Sequence, residues 1–369
     1  MHGALHSPRD FDTCIGVGET GGMPPLVRIG TRASRLALTQ TGHVAADLSR
    51  LGGFETETVH VRTDGDRLTG SLASLGGTGV FVTALRDALL DGRCDVAVHS
   101  LKDLPTAAAP GLTIAAVPPR EDPHDVLCAR DGLALRDLPP GARVGTGSPR
   151  RAAQLLAARP DLVVVDIRGN VDTRLGRVAG HPDGPGDLDA ILLARAGLAR
   201  LGRLDAVTEV LDDTVMLPAP GQGALAVEVR TADLADPTTP LARALAALDD
   251  RPTRLAVAAE RALLARLEAG CAAPVGAIAH LVGARLTLEA VVASTDGSRT
   301  LRHGAVAEAR RAHVAPPRPD ASAPDLGAAA SADHADLPDE AMARSLGAQL
   351  ADLLLEQGAA ELAPLGPGA

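Results

Sequence analysis

Basic side chains gather at the points where the predicted strands of this sequence end. They are Arg32 and Arg35, Lys102, Arg150 and Arg151, Arg168 and Arg174, and Arg195 and Arg200. Open α/β sheets bind ligands beyond the carboxyl ends of their strands, where the N-termini of the following helices already attract anions. One such arginine alone is usually a solvated surface residue. The whole set, in an acidic protein without a Walker motif, predicts a polyanionic ligand and favours a polycarboxylate.

Lys102 and Asp103 stand out within this region. Lys102 is the single lysine among 36 basic residues, so it survives in a sequence that otherwise uses arginine. A need for a compact ammonium group would explain the survival, and chance is the alternative explanation. Asp103 either neutralises the neighbouring cations or faces a cationic or N–H-bearing part of the ligand. The spacing leaves both interpretations open.

The composition argues against several classes of function. A net charge of −10, with three Phe and no Trp or Tyr, predicts no nucleic-acid partner. No stretch approaches the roughly 18 uninterrupted apolar residues of a membrane span, and residues 1–23 lack the apolar run of a secretory signal. Four scattered cysteines without a CxxC pair indicate a reducing compartment. We therefore expect a cytoplasmic protein without a membrane partner or a metal site.

Short apolar runs alternate with amphipathic stretches from residue 26 onward, which predicts an α/β fold with largely parallel sheets. Two proline-containing stretches, at residues 117–123 and 217–223, bracket an inserted block. This arrangement predicts two lobes joined by two crossings, with a cleft between them. Beyond residue 246 the sequence predicts a helix at 253–268, strands at 275–282 and 286–293, and a last helix at 340–357.

These boundaries predict three domains. The predicted segments are a disordered tail at 1–23, a first domain at 24–118 and 223–243, a second at 124–217, and a third at 246–369 that contains a disordered insert at about 305–339.

Six motifs, in order along the chain, resemble those of the porphobilinogen deaminases, also called hydroxymethylbilane synthases. They are Gly30-Thr31-Arg32-Ala33-Ser34, Val98-His99-Ser100-Leu101-Lys102-Asp103-Leu104-Pro105, Val144-Gly145-Thr146-Gly147-Ser148-Pro149-Arg150-Arg151, Arg168-Gly169-Asn170-Val171-Asp172-Thr173-Arg174-Leu175, Leu217-Pro218-Ala219-Pro220-Gly221-Gln222-Gly223-Ala224 and Leu267-Glu268-Ala269-Gly270-Cys271. The similarity runs from about residue 26 to 295 and resumes in the final helix. Any one motif alone would be weak, whereas six in order are specific.

The resemblance implies two lobes like those of periplasmic binding proteins around a cleft, plus a smaller α/β C-terminal domain. It also implies a monomeric transferase of tetrapyrrole (haem-type) biosynthesis that joins four porphobilinogen molecules head to tail into hydroxymethylbilane and releases ammonia. A dipyrromethane cofactor would be attached through a thioether to Cys271, and Asp103 would be the catalytic aspartate. The implied cofactor-binding residues are Lys102, Ser148, Arg150, Arg151 and Arg174, and the implied substrate-binding residues are Arg32, Ser34, Arg168 and Arg200.

The sequence departs from the family at one segment. Many members carry basic residues where this chain has Asp64, Ser74 and Thr78, so a basic contact from that segment to substrate is in doubt. Two other hypotheses remain open. The chain could be a non-catalytic anion-binding protein on the same two-lobe scaffold, or an amine-handling enzyme that uses Lys102 for a Schiff base.

Overall fold

This computed structural model describes residues 25–61, 79–270, 273–308 and 338–365, and within them the backbone forms three β-sheets. The first sheet has the strand order β2-β1-β3-β10-β4. Its strands are β1 (Leu26–Thr31), β2 (Glu55–His60), β3 (Val96–Ser100), β4 (Leu112–Ala116) and β10 (Leu225–Arg230). Helices α1 (Arg35–Gly52), α2 (Gly79–Leu90) and α6 (Pro240–Leu248) accompany this sheet.

The second sheet repeats the topology of the first, with the order β7-β6-β8-β5-β9. Its strands are β5 (Asp125–Ala129), β6 (Arg143–Gly145), β7 (Val163–Val165), β8 (Ala190–Ala194) and β9 (Glu209–Val210), and its helices are α3 (Pro149–Ala158), α4 (Val171–Leu175) and α5 (Arg195–Arg200). In each sheet three parallel strands are followed by an antiparallel strand, β10 or β5, that begins after a crossing. The protein therefore has the two lobes that the sequence predicts, each built on a five-stranded mixed sheet.

The two crossings between the lobes touch each other. Glu121 N donates a hydrogen bond to Gly223 O at 3.3 Å. Gly223 has a φ of 86°, and a Cβ at this position would lie 2.2 Å from Glu121 O. Only glycine can adopt this conformation and allow this approach, which explains the glycine that ends the second proline-containing stretch.

The third sheet is an antiparallel meander, β11-β12-β13, covered on one face by two helices. Its elements are α7 (Arg251–Arg266), β11 (Val275–Val282), β12 (Arg285–Ala293), β13 (Thr300–Glu308), α8 (Glu340–Glu356) and α9 (Ala359–Leu362). Helices α7 and α8 cross so closely that a Cβ on Gly347 would lie 2.1 Å from Ala259 O. On the opposite face, Ile278 and Val291 pack against Leu217 of the second crossing.

Most predicted elements of the C-terminal region are present, with one addition. Strand β13 pairs along its whole length with β12 and includes residues 305–308, which the sequence assigns to the insert. Its side chains are mostly half-exposed, so the apolar alternation of a buried strand is missing. The predicted tail and residues 309–337 lie outside the described residues, and the division into three domains stays a prediction. None of the helices in the described part of the chain has the length and apolarity to cross a membrane.

Candidate active site

A 3-10 helix, Leu101–Asp103, follows β3 at the end of the first sheet. The side chains of Leu101 and Leu104 are buried and anchor this turn in the lobe. Lys102 and Asp103 lie between them and are half-buried. Within the part of the chain that the structure describes, the Asp103 carboxylate accepts no hydrogen bond. The order of apolar and charged residues therefore brings an ammonium and a carboxylate together beyond the end of the sheet.

Lys102 is connected to the second crossing. Its Nζ donates a hydrogen bond to Oε1 of the buried Gln222 at 3.3 Å. Burial, reinforced by the nearby guanidinium group of Arg151, lowers the pKa of Lys102 to about 8, although Asp103 opposes the shift. The ammonium group therefore titrates near pH 8, and a bound anion would favour its charged form.

Asp125, the first residue of β5, connects this crossing to the second lobe. Its fully buried carboxylate pairs with Arg150 Nη1 at 2.7 Å and with Arg151 Nη2 at 2.8 Å. Gln222 Nε2 donates to the same carboxylate at 2.8 Å. Burial alone would raise the pKa of Asp125, but the two guanidinium groups outweigh it and hold the pKa well below its usual range. A continuous polar network thus joins Lys102 in the first lobe to two arginines in the second.

Arg150 and Arg151 are more buried than the sequence suggests for residues that bind a ligand. Their side chains are 5% and 7% exposed, and each also donates to a backbone carbonyl, Arg150 to Leu217 O at 2.6 Å and Arg151 to Leu192 O at 3.2 Å. Arg150 Nε is buried and has no hydrogen-bond partner among the described residues. In the predicted contacts with the cofactor, these arginines would therefore donate only from the N–H groups that make no hydrogen bond inside the protein.

Two further predicted cations of the second lobe, Arg174 and Arg168, lie beside each other, and Arg174 is also close to Arg151. Arg174 donates from Nε to Gly169 O at 2.8 Å, and its pKa is lowered by burial and by the positive charges of Arg151 and Arg168. Arg168 is exposed and lies 3.4 Å from Asp166. Ser148 begins α3 as its N-cap, with Oγ accepting a hydrogen bond from Arg151 N. These guanidinium groups repel one another, which is the arrangement expected of a site for an anionic ligand.

The substrate residues predicted in the first lobe lie where β1 leads into α1. Arg32 is half-buried, and Ser34 is the N-cap of α1, with Oγ accepting from Ala37 N at 3.3 Å. The next residue, Arg35, pairs across the lobes with Asp172 of α4 at 3.2 Å. The start of α1, just after β1, and helix α4, just after β7, therefore approach each other, as the predicted cleft requires.

Arg200 lies at the end of α5, beside the second crossing. Its Nη2 donates to Gly223 O at 2.6 Å. Burial lowers its pKa, and the nearby carboxylate of Glu121 partly opposes that shift. Arg200 thus contacts the crossings and has no direct bond to Asp125.

Cys271, the predicted anchor of the cofactor, lies outside the described residues, as do Asp64, Ser74 and Thr78. The other cysteines in the described part, Cys94 and Cys128, are buried. Burial raises the pKa of both thiols, that of Cys128 to about 12. Because the thiolate is the reactive form, neither is suited to act as a nucleophile.

Three residues of this network were not predicted from the sequence. Asp125 is an acid at the start of an apolar strand, and Gln222 lies in a motif that was noted without a role for it. Glu260 is fully buried and binds Arg120 Nη1 at 2.6 Å and Gly221 N at 2.6 Å, so it holds both crossings. A charged residue inside an apolar strand or helix was the available signal, because buried charges require partners.

Family models and relatives of known name match most of this chain. Residues 27–236 match the family model described as porphobilinogen deaminase, dipyromethane cofactor binding domain, and residues 254–315 match that of the porphobilinogen deaminase C-terminal domain. Porphobilinogen deaminase from Cutibacterium acnes is 54% identical over 92% of this chain and 97% of its own length. The enzyme of that name from Micrococcus luteus is 60% identical over 76% of this chain and 81% of its own, and that from Mycobacterium tuberculosis is 54% identical over 78% and 92%.

The first family model spans both lobes and the crossings that hold the network of Asp125, Gln222 and Lys102, and the second covers most of α7 and all three strands of the C-terminal sheet. The relatives cover most of the described residues at more than half identity. The chain therefore belongs to the porphobilinogen deaminase family.

Proposed function

We propose that this chain joins four porphobilinogen molecules into hydroxymethylbilane at the site between its lobes, with Asp103 as the catalytic residue. Each porphobilinogen brings two carboxylates, so the growing chain becomes a polycarboxylate. The cations at the strand ends suit such a ligand, and the carboxylate of Asp103 suits the positive charge that develops when ammonia leaves. The observation that carries the proposal is the buried network through which Asp125 and Gln222 hold Lys102, Arg150 and Arg151 together.

The residues present fit the dipyrromethane cofactor of this family. Burial and the positive charges of Arg151 and Arg168 lower the pKa of Arg174, and Arg150 Nε lacks a partner among the described residues, so carboxylate arms would supply compensating charge and the missing acceptor. Lys102 and the Ser148 hydroxyl add further donors. When bound, the cofactor supplies the covalent primer that the reaction extends. We propose Cys271 as its point of attachment, since a thiolate forms a stable carbon–sulfur bond.

We assign substrate binding to three cations and one hydroxyl group that lie nearer the lobe surfaces. Arg168 is exposed, and Arg32, Ser34 and Arg200 are half-buried, so their side chains suit carboxylate arms that arrive from solvent. Arg200 also touches the second crossing, which would couple binding to the relative position of the lobes. The division into three domains, a cytoplasmic location and a monomeric state are part of the same proposal.

The intact mass of the purified protein tests this function directly. We expect a mass above that of the bare chain by two linked pyrrole units, together with turnover of added porphobilinogen. Cys271→Ser is expected to show the bare mass and no turnover, and Cys128→Ser, which changes a buried thiol, is the control that retains both. An active protein with the bare mass would refute the covalent attachment. Turnover without any ammonia release would refute the reaction.

The lowered pKa of Lys102 predicts how the capture of porphobilinogen depends on pH. Its pKa is lowered to about 8, so the ammonium form dominates below this value and is lost as the pH rises through it. We expect the rate at which the cofactor-free protein assembles its cofactor from porphobilinogen to fall by up to about tenfold per pH unit above pH 8, because only the ammonium form attracts the incoming carboxylates before the cofactor is in place. Lys102→Arg, which stays protonated, should remove that alkaline limb. The same limb in both proteins would assign it to another group.

A further inference from the structure

Arg261 of α7 reaches out of the C-terminal region to the turn that carries Lys102 and Asp103. Its Nη1 donates to Leu104 O at 2.8 Å and to Leu101 O at 3.3 Å, and its Nη2 donates to Pro105 O at 2.7 Å. One guanidinium group therefore binds three carbonyls of the same turn, before and after the two charged residues.

This contact satisfies groups that the turn itself leaves open. A 3-10 helix ends with carbonyls that lack a partner inside the helix, and here the chain continues into Pro105, which cannot extend it. On the side of the first sheet, Leu101 N is held by Ala224 O at 3.0 Å. The carbonyls after Asp103 are held by Arg261. The turn is thus clamped from two different elements, one on each side.

The charges around Arg261 give no other reason for a cation at this place. Arg261 forms no ion pair with an acid in the described part of the chain. Burial lowers its pKa to about 10, and the positive charges of Arg344 and Arg86 add to the shift, with Glu228 opposing it. The side chain keeps its charge at neutral pH in surroundings that disfavour it. Its hydrogen bonds to the three carbonyls of the turn offset the unfavourable burial of this charge.

We propose that Arg261 is a positioning residue for the reaction: it holds the backbone of the Leu101–Pro105 turn so that the Asp103 carboxylate stays in the place where charge develops. The inference rests on the proposed function of Asp103. Because α7 leads along the chain to Cys271, the same helix would link the position of the carboxylate to the segment that carries the anchor. A positioning role affects the chemical step, since a small displacement of a catalytic group costs much of its effect.

The first test separates kcat from KM. We expect Arg261→Ala to lower kcat by about 10- to 100-fold, with KM changed less than about threefold and with the full cofactor mass retained. Arg261→Lys should lie between, because an ammonium group does not reproduce the planar fork that binds three carbonyls. Arg266→Ala is the matched control. It removes an exposed arginine of the same helix that pairs with Asp352 at 2.6 Å, and it should keep the kcat of the unchanged protein.

The second test asks whether Arg261 acts through Asp103. In an Asp103→Asn background, adding Arg261→Ala should lower the rate of the first pyrrole addition, followed by mass, by less than about threefold. The inference would be overturned if Arg261→Ala lowered the rate by the same factor in the Asp103→Asn background as in the unchanged protein. An unchanged kcat in Arg261→Ala would also overturn it. If Arg261→Ala does not fold, the same comparisons are made with Arg261→Lys. An inactive unchanged protein would instead refute the proposed function, and the inference with it.

Discussion

Asp103→Asn is expected to lower kcat by about 10²–10³-fold, the effect of removing one preorganised charge from the place where the opposite charge develops. The substitution keeps the shape of the side chain and removes its negative charge. In the described part of the chain the carboxylate accepts no hydrogen bond, so folding should change little. The apparent midpoint of thermal unfolding should therefore stay within a few degrees of that of the unchanged protein.

Steady-state release of product and thermal unfolding, measured on the same preparation, check this prediction. Asp91→Asn is a suitable control, since Asp91 is an exposed acid in an ion pair with Arg93. It should leave both quantities unchanged. Near-normal turnover in Asp103→Asn would remove Asp103 from the catalytic role. A large loss of stability would make it a structural residue.

Asp125→Asn is expected to have the largest effect on stability. It removes the charge that compensates two guanidinium groups whose side chains are only 5% and 7% exposed. Breaking a buried pair in this way costs about 3–5 kcal/mol, because the remaining charges stay buried without a partner. The Gln222 contact would also change, so the position of Lys102 should be disturbed and incorporation of the cofactor reduced.

Urea unfolding and intact mass measure the two consequences for Asp125→Asn. Asp161→Asn serves as the control, because Asp161 pairs with Arg159 at the surface, where solvent screens the charges, and its loss should lower stability much less. The pKa of Asp125 is depressed, so its contribution is complete above the usual pKa of an aspartate and is lost as the pH falls below about 4. The difference in the free energy of unfolding between the unchanged protein and Asp125→Asn should therefore become smaller in acid. If this difference stays constant down to pH 2, the buried carboxylate of Asp125 is not charged as assigned.

The prediction of the fold from sequence succeeded where the pattern is local. Strand β11 has the predicted bounds, and α7 and α8 begin or end within two residues of the expected positions. Strand β13 was missed because its side chains are mostly half-exposed and its stability comes from pairing with β12, a property of the neighbour and not of its own sequence. The lobes were predicted because two proline-containing crossings bracket a repeated pattern of strand and helix.

The roles of the site residues stay a prediction, and the structure adds the contacts that connect some of them. Lys102, Arg150 and Arg151 were selected as ligands for an anion, and the structure brings them to one network. What the sequence did not reveal is that Asp125 lies between them. Lys102 and Asp125 are separated along the chain by a whole crossing, and an acid at the start of a strand has no local signal that identifies its partners.

The sequence by itself determined the family, the α/β class, the two crossings and the residue types that we propose for binding an anionic substrate, because all of these follow from short motifs and local periodicity. Only the tertiary structure decided how each cation is used. Asp125 draws Arg150 and Arg151 inward, Gln222 ties Lys102 to them, and Arg261 clamps the Asp103 turn from another sheet's helix. Such pairings depend on strand order and on burial, where a charge must find its partner across the fold.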